Sequence, residues 1–133
     1  MRKTTWDTDL MNFVASRGKT PFEWGAHDCT LFAADCAQVI TGTDPAAKYR
    51  GTYKDEAGAT AIIKPAGSLR QLVTSNIGPE IPPKLVQRGD WVMIYQGGQE
   101  ALAVCLGLVA VAAGQGGLVF RPITDAVTAW RIN

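Results

Sequence analysis

The chain has one histidine, three cysteines and almost no surplus of charge, and each shortage removes a class of function. Thirteen Lys and Arg against twelve Asp and Glu leave a net charge of +1. Proteins that grip nucleic acid present a basic surplus, and anionic membrane surfaces attract the same, so neither partner is indicated. With His27 the sole imidazole and no Cys-x-x-Cys pair, a structural zinc lacks its donors; no metal and no cofactor are expected. Three cysteines do not make a disulfide framework. Cys29 and Cys36, seven positions apart on one predicted helix, would stand roughly 10 Å apart, beyond the ~7 Å Cα limit for a bridge. Reduced thiols in a protein made in the cytoplasm are the expectation. Long hydrophobic runs are also missing. The longest, Ala101 to Ala113, is interrupted by Gly107 and falls short of the about 20 residues a bilayer span requires. No apolar stretch follows Arg2 and Lys3, so no secretory signal is read.

What is present suits one domain. A hydrophobic share of 47% is too high for general disorder, and the length suffices for a core without staples. Leu10, Met11, Phe13 and Val14 have helical spacing within Asp7 to Arg17, and Gly18 follows as a stop. A loop with Phe22 and Trp24 leads to a second helix from Asp28 to Thr41. There Leu31, Phe32, Cys36, Val39 and Ile40 share a face, Asp28 is the N-cap and Gly42 the end. Asp44 to Tyr53 reads as a turn-rich connector, and Arg50 to Tyr53 within it as an exposed turn. Asp55 to Ile63 and Ser68 to Ile77 predict two short helices. Gly78 to Lys84, with three prolines, predicts a rigid extended linker.

Beyond Gly89 the pattern changes to short segments rich in Val, Ile, Leu and aromatics. Trp91 to Tyr95, Ala101 to Leu106, Leu108 to Ala113, Leu118 to Arg121 and Ala129 to Ile132 predict strands. Gly97-Gly98, Gly107 and Gly114-Gln115-Gly116-Gly117 mark tight turns. The expected class is α+β in a single domain of residues 1–133. Its helical part covers about 1–77, its linker 78–84, and an antiparallel β-meander about 88–133.

The sharpest local feature is Trp24-Gly25-Ala26-His27-Asp28-Cys29 running into the second helix. A thiol at a helix N-terminus feels the positive end of the macrodipole and gives up its proton more easily. The same residues also suit a small buried Cys29 behind a capping Asp28.

Trp-Gly-x-x-Asp-Cys opening an amphipathic helix resembles the nucleophile segment of NlpC-type papain-like cysteine peptidases, which are cell-wall hydrolases. Arg88-Gly89-Asp90-Trp91 resembles the strand preceding that family's histidine strand, and Ala101 to Gly107 falls where the histidine strand would lie. The whole chain is also similar to short phage proteins encoded among tail genes, through Phe22-x-Trp24-Gly25, Asp28-Cys29, Arg50-Gly51-x-Tyr53, Gly89-Asp90, Gly116-Gly117-Leu118 and Ala129-Trp130-Arg131. The resemblance implies a papain-like, NlpC-like fold with helices packed on the sheet.

The resemblance also implies a catalytic histidine at position 101, where this chain has Ala101. Cysteine hydrolysis needs a base and later an acid within hydrogen-bond reach. His27, two residues before Cys29, and Gln115, in a Gly-rich turn, are the weak partners available.

Three expectations follow. One is a catalytically degenerate virion protein of the phage tail tip or baseplate, made in the host cytoplasm, with hub, distal tail or other baseplate subunits as partners. The alternative is an active cysteine peptidase or amidase that uses Cys29 on host peptidoglycan during infection. A chaperone that leaves the finished particle is a third.

Overall fold

The computed structural model describes residues 1–133. Four α-helices precede most of the sheet: α1 (Trp6–Ser16), α2 (Cys29–Thr41), α3 (Glu56–Ile63) and α4 (Leu69–Ile77). Capping residues set their starts. The Asp28, Asp55 and Ser68 side chains accept from the backbone N–H of Leu31, Gly58 and Gln71, meeting donors that a helix end leaves open. Gly42, at φ 84°, closes α2 in the left-handed conformation that glycine adopts without a Cβ clash.

Six strands form one antiparallel sheet: β1 (Glu80–Ile81), β2 (Trp91–Gln96), β3 (Gln99–Cys105), β4 (Val109–Gly114), β5 (Gly117–Pro122) and β6 (Thr128–Trp130). The α+β expectation therefore holds. β2 and β3 are joined through Gly97-Gly98, both at positive φ, as a two-residue hairpin turn requires.

The strand order β1-β6-β2-β3-β4-β5 departs from a plain meander. β2 to β5 are sequential neighbours, but β6 returns to the far side of β2, pairing Trp91 with Trp130 and Val92 with Ala129. A short 3-10 turn at Ile123–Asp125 redirects the chain, and the Val127 amide then donates to the Met93 carbonyl at 2.9 Å.

The segment expected as a bare linker is also different. Within Gly78 to Lys84, Glu80 and Ile81 pair with Trp130 and Ala129 as β1, and a 3-10 turn follows at Pro83–Leu85. Prolines are compatible with this because β1 is an edge strand.

Alternation along the strands sorts their side chains onto two buried faces. Trp91, Met93, Leu102, Val104, Val111 and Trp130 join Leu10, Leu31, Phe32 and Ile40 in a core of 20 buried residues, so helices and sheet share one interior. Val92, Ile94, Ala101, Ala103, Cys105, Ala110, Ala112 and Ala129 fill the other face beneath Ile81, Val86, Ile123 and Ala126. Two indoles pin helices to the sheet: Trp91 Nε1 donates to the Ala33 carbonyl at 3.0 Å and Trp130 Nε1 to Thr74 Oγ1 at 3.1 Å.

Both sheet edges offer little backbone for further pairing. On β5 the Leu118 amide donates to the Gly18 carbonyl at 3.0 Å, and Pro122 has no N–H to offer. At the opposite edge β1 is two residues long and lies between Pro79 and Pro82.

The two termini meet at Asp90, which is fully buried. Its carboxylate accepts from Arg2 Nη2 at 2.9 Å and from the backbone amides of Ile132 and Gln87 at 3.0 Å each. Arg131 Nε lies 3.2 Å away. The Gly89-Asp90 and Trp130-Arg131 motifs thus come together as one clasp.

Candidate functional site

Asp28 organises the turn that carries Cys29. The backbone between Glu23 and His27 doubles back, with the His27 amide donating to the Glu23 carbonyl at 2.8 Å and the reverse bond at 3.2 Å. Gly25 sits at φ 80°, and a Cβ there would come within 2.2 Å of the Tyr53 carbonyl oxygen, so only glycine fits. Asp28 Oδ1 accepts from the Leu31 amide at 2.9 Å, and Oδ2 accepts from the Gly25 amide at 3.0 Å and from the Tyr53 hydroxyl. The Asp28-Cys29 and Arg50-Gly51-x-Tyr53 motifs therefore meet in space.

Arg50 to Tyr53 is a turn with Gly51 and Thr52 exposed, as expected from sequence, and its Arg50 has defined partners. Arg50 Nε bonds Asp44 at 2.6 Å and its Nη2 bonds Asp35 at 2.7 Å, tying the connector to α2. The Tyr53 hydroxyl is held well above the usual phenol range by burial and by the Asp28 carboxylate it donates to.

Cys29 is the first residue of α2 and lines a cleft of about 370 Å³. Trp24, Tyr53, Glu56, Ser68, Gln99 and Glu100 share that cleft. Its thiol lies 3.8 Å from Thr30 Oγ1 and against the backbone of Leu102, one residue beyond Ala101. The expected acidification of the thiol does not occur. Burial pushes Cys29 upward first and the adjacent Asp28 carboxylate adds to it, outweighing the bonds from Leu102 and Thr30.

The other two candidates are elsewhere. His27 is buried, its ring edge-on to Phe32 at 5.6 Å, and its Nε2 has no hydrogen-bond partner. Neither ring nitrogen bonds Cys29, and the residue does not line the cleft. Burial, then the Arg17 guanidinium, lowers its pKa against the opposing pull of Asp35 and Asp28, which keeps it a neutral residue of the interior. Gln115 is exposed in the turn between β4 and β5 and is absent from the cleft wall. Ala101 is buried on β3, on the sheet face away from the main core. Cys29, His27 and Gln115 are thus not assembled into a triad.

Sequence reasoning missed Glu56, Ser68, Gln99 and Glu100 as cleft residues, since no spacing links α3, α4 and the start of β3. Tyr53 carried a signal, its place in a motif beside Arg50, though not its partner.

Fold and cleft together define an α+β protein with a half-buried thiol at the head of the helix that packs on its sheet. The chain belongs to the DUF6950 family, a domain of unknown function, which it matches over residues 1–132. No curated protein matches it. No helix is long and apolar enough to cross a membrane.

Proposed function

We propose that the protein is a structural subunit of a phage tail tip or baseplate, built on an NlpC-like arrangement whose catalysis has been lost. The observation that carries the loss of catalysis is the surroundings of Cys29. The thiol stands at the head of α2 against the Leu102 backbone, with no imidazole bonded to it and Ala101 next along the strand. Without a base the thiol is not deprotonated, and without an acid the leaving amine is not protonated. Removing one member of such a unit abolishes most of its rate. The tail assignment is supported by the resemblance of the motifs to tail-gene products, and those motifs have structural duties here. Asp28 and Tyr53 bond each other, and Asp90 joins the termini.

The partners in this reading are hub, distal tail or neighbouring baseplate subunits. Mass spectrometry of purified virions tests it: the chain is expected among the tail proteins, and its absence from finished particles overturns the reading. Purified protein is expected to release no soluble muropeptide from peptidoglycan. A release that Cys29→Ser abolishes would replace the scaffold with an active cysteine peptidase or amidase.

A further inference from the structure

His27 is the chain's one imidazole, and the fold seats it where a positive charge has no partner. It is 5% exposed, its Nε2 makes no hydrogen bond, and its ring packs edge-on to Phe32 at 5.6 Å. Phe32 in turn stacks on Phe13 at 6.0 Å, and the Arg17 guanidinium lies over Phe13 at 4.9 Å. The charged groups facing the imidazole are already engaged or of the wrong sign. From the end of α1 comes Arg17, which would repel an imidazolium, and from α2 come Asp28 and Asp35. Both carboxylates are spent on other partners. Asp28 accepts from the Leu31 and Gly25 amides and the Tyr53 hydroxyl, and Asp35 accepts from Arg50. Glu23, at the other end of the turn, meets His27 through backbone bonds.

The turn that carries His27 also carries Trp24, which shares the cleft wall with Cys29. Three backbone bonds at 2.8 to 3.2 Å tie Glu23 to Ala26 and His27, and the Gly25 amide adds a bond to Asp28 Oδ2. The cap that starts α2 is separate, because the Leu31 amide bonds the other oxygen, Oδ1. The turn can therefore open while the helix behind it stays formed.

We propose that His27 is a proton-operated latch on this turn: one added proton drives the imidazole from its aromatic seat, and the departing turn carries Trp24 away from Cys29. A buried imidazolium beside Phe32 and Arg17 lacks both water and an acceptor, and a charge buried without either is costly. Outside the seat, water solvates it. The open form titrates near the ordinary 6.5 and the closed form lower. The open fraction therefore grows as pH falls through 6.5, by at most about tenfold per pH unit for one proton.

Labelling of the full chain with a pyridyl disulfide from about pH 7.5 to about pH 5 tests it, with each modified cysteine located by mass spectrometry. Rates at each pH are scaled to those of an unstructured cysteine peptide, which removes the thiol's own titration. Protection of Cys29 is expected to fall at least about threefold over this range. Cys36 and Cys105, buried in the interior, should keep theirs. His27→Gln and His27→Phe, neither of which takes up a proton, should each leave Cys29 protection flat with pH. The ring-proton resonances of the single imidazole give a readout that needs no variant, since their titration midpoint should coincide with that of Cys29 exposure. Protection of Cys29 indifferent to pH, the same fall in a folded His27 variant, all three cysteines losing protection together, or midpoints that disagree would each overturn the latch.

Discussion

The Tyr53 hydroxyl donates to the Asp28 carboxylate across 25 residues of chain, on the same oxygen that accepts from the Gly25 amide. One side chain therefore caps α2, closes the turn before it and anchors the connector after it. Tyr53→Phe should cost about 1.5–3 kcal/mol, the range for a hydrogen bond to a charged group. Asp28→Ala should cost more, since the cap is lost and the Tyr53 hydroxyl is left without its acceptor. Urea denaturation of the two single variants and the double variant checks this. The double is expected to lose less than the summed singles.

Asp90 supports a second prediction. It is buried with Arg2 on one side and the Ile132 and Gln87 amides on others. Asp90→Ala takes the carboxylate from a partly buried Arg2 guanidinium, which keeps only the Ile132 and Arg88 carbonyls, and leaves two amides unpaired; breaking such a pair costs about 3–5 kcal/mol. The wild-type contribution should survive added salt, because screening acts mainly on exposed charges. Denaturation midpoints at low and high ionic strength measure both effects.

Acid should weaken the fold in two successive steps. His27 has its pKa lowered from 6.5 by burial and by Arg17. Below 6.5 the unfolded chain takes up that proton before the folded one, so stability present above this pH is lost as pH falls toward the folded value. Glu80 is held down at about 2 against an ordinary 4.5 by Arg70 and Thr128. Its contribution is complete above 4.5 and lost as pH falls toward 2. Melting temperature against pH should show both slopes, with His27→Gln flattening the first and Glu80→Gln the second.

Cys29 should behave as a sluggish thiol. Burial and Asp28 raise its pKa, so little thiolate exists at neutral pH. Alkylation by iodoacetamide at pH 7 should be slower than for an unstructured peptide thiol, and should rise about tenfold per pH unit as the thiolate fraction grows. Rapid modification at pH 7 would reverse the assignment of an unactivated sulfur.

Local chemistry was legible in the sequence, and long-range placement was not. The Asp28 cap, Gly42 and the apolar face of α2 are nearest-neighbour signals, and all three stand where the spacing put them, with Phe32 fully buried. The glycine pairs likewise marked their turns. The return of β6 to β2 had no local signature, because Ala129-Trp130-Arg131 is equally compatible with either sheet edge. Residues 78–84 read as linker because their prolines hid two pairing residues, Glu80 and Ile81. At the site, Cys29 was found from its position before an apolar helix. Its raised pKa was not, because the macrodipole is visible in a helical pattern whereas desolvation depends on what folds over the sulfur.

The capped rims of the sheet have a consequence for crowded conditions. Cross-β growth starts when a free strand accepts another chain's backbone. Here one rim is occupied by Gly18 and ends in Pro122, and the other is a two-residue strand between prolines. Copies packed at high local concentration therefore find only a short stretch of open backbone around Phe120 on one rim, so side-chain surfaces carry most of any association between native chains.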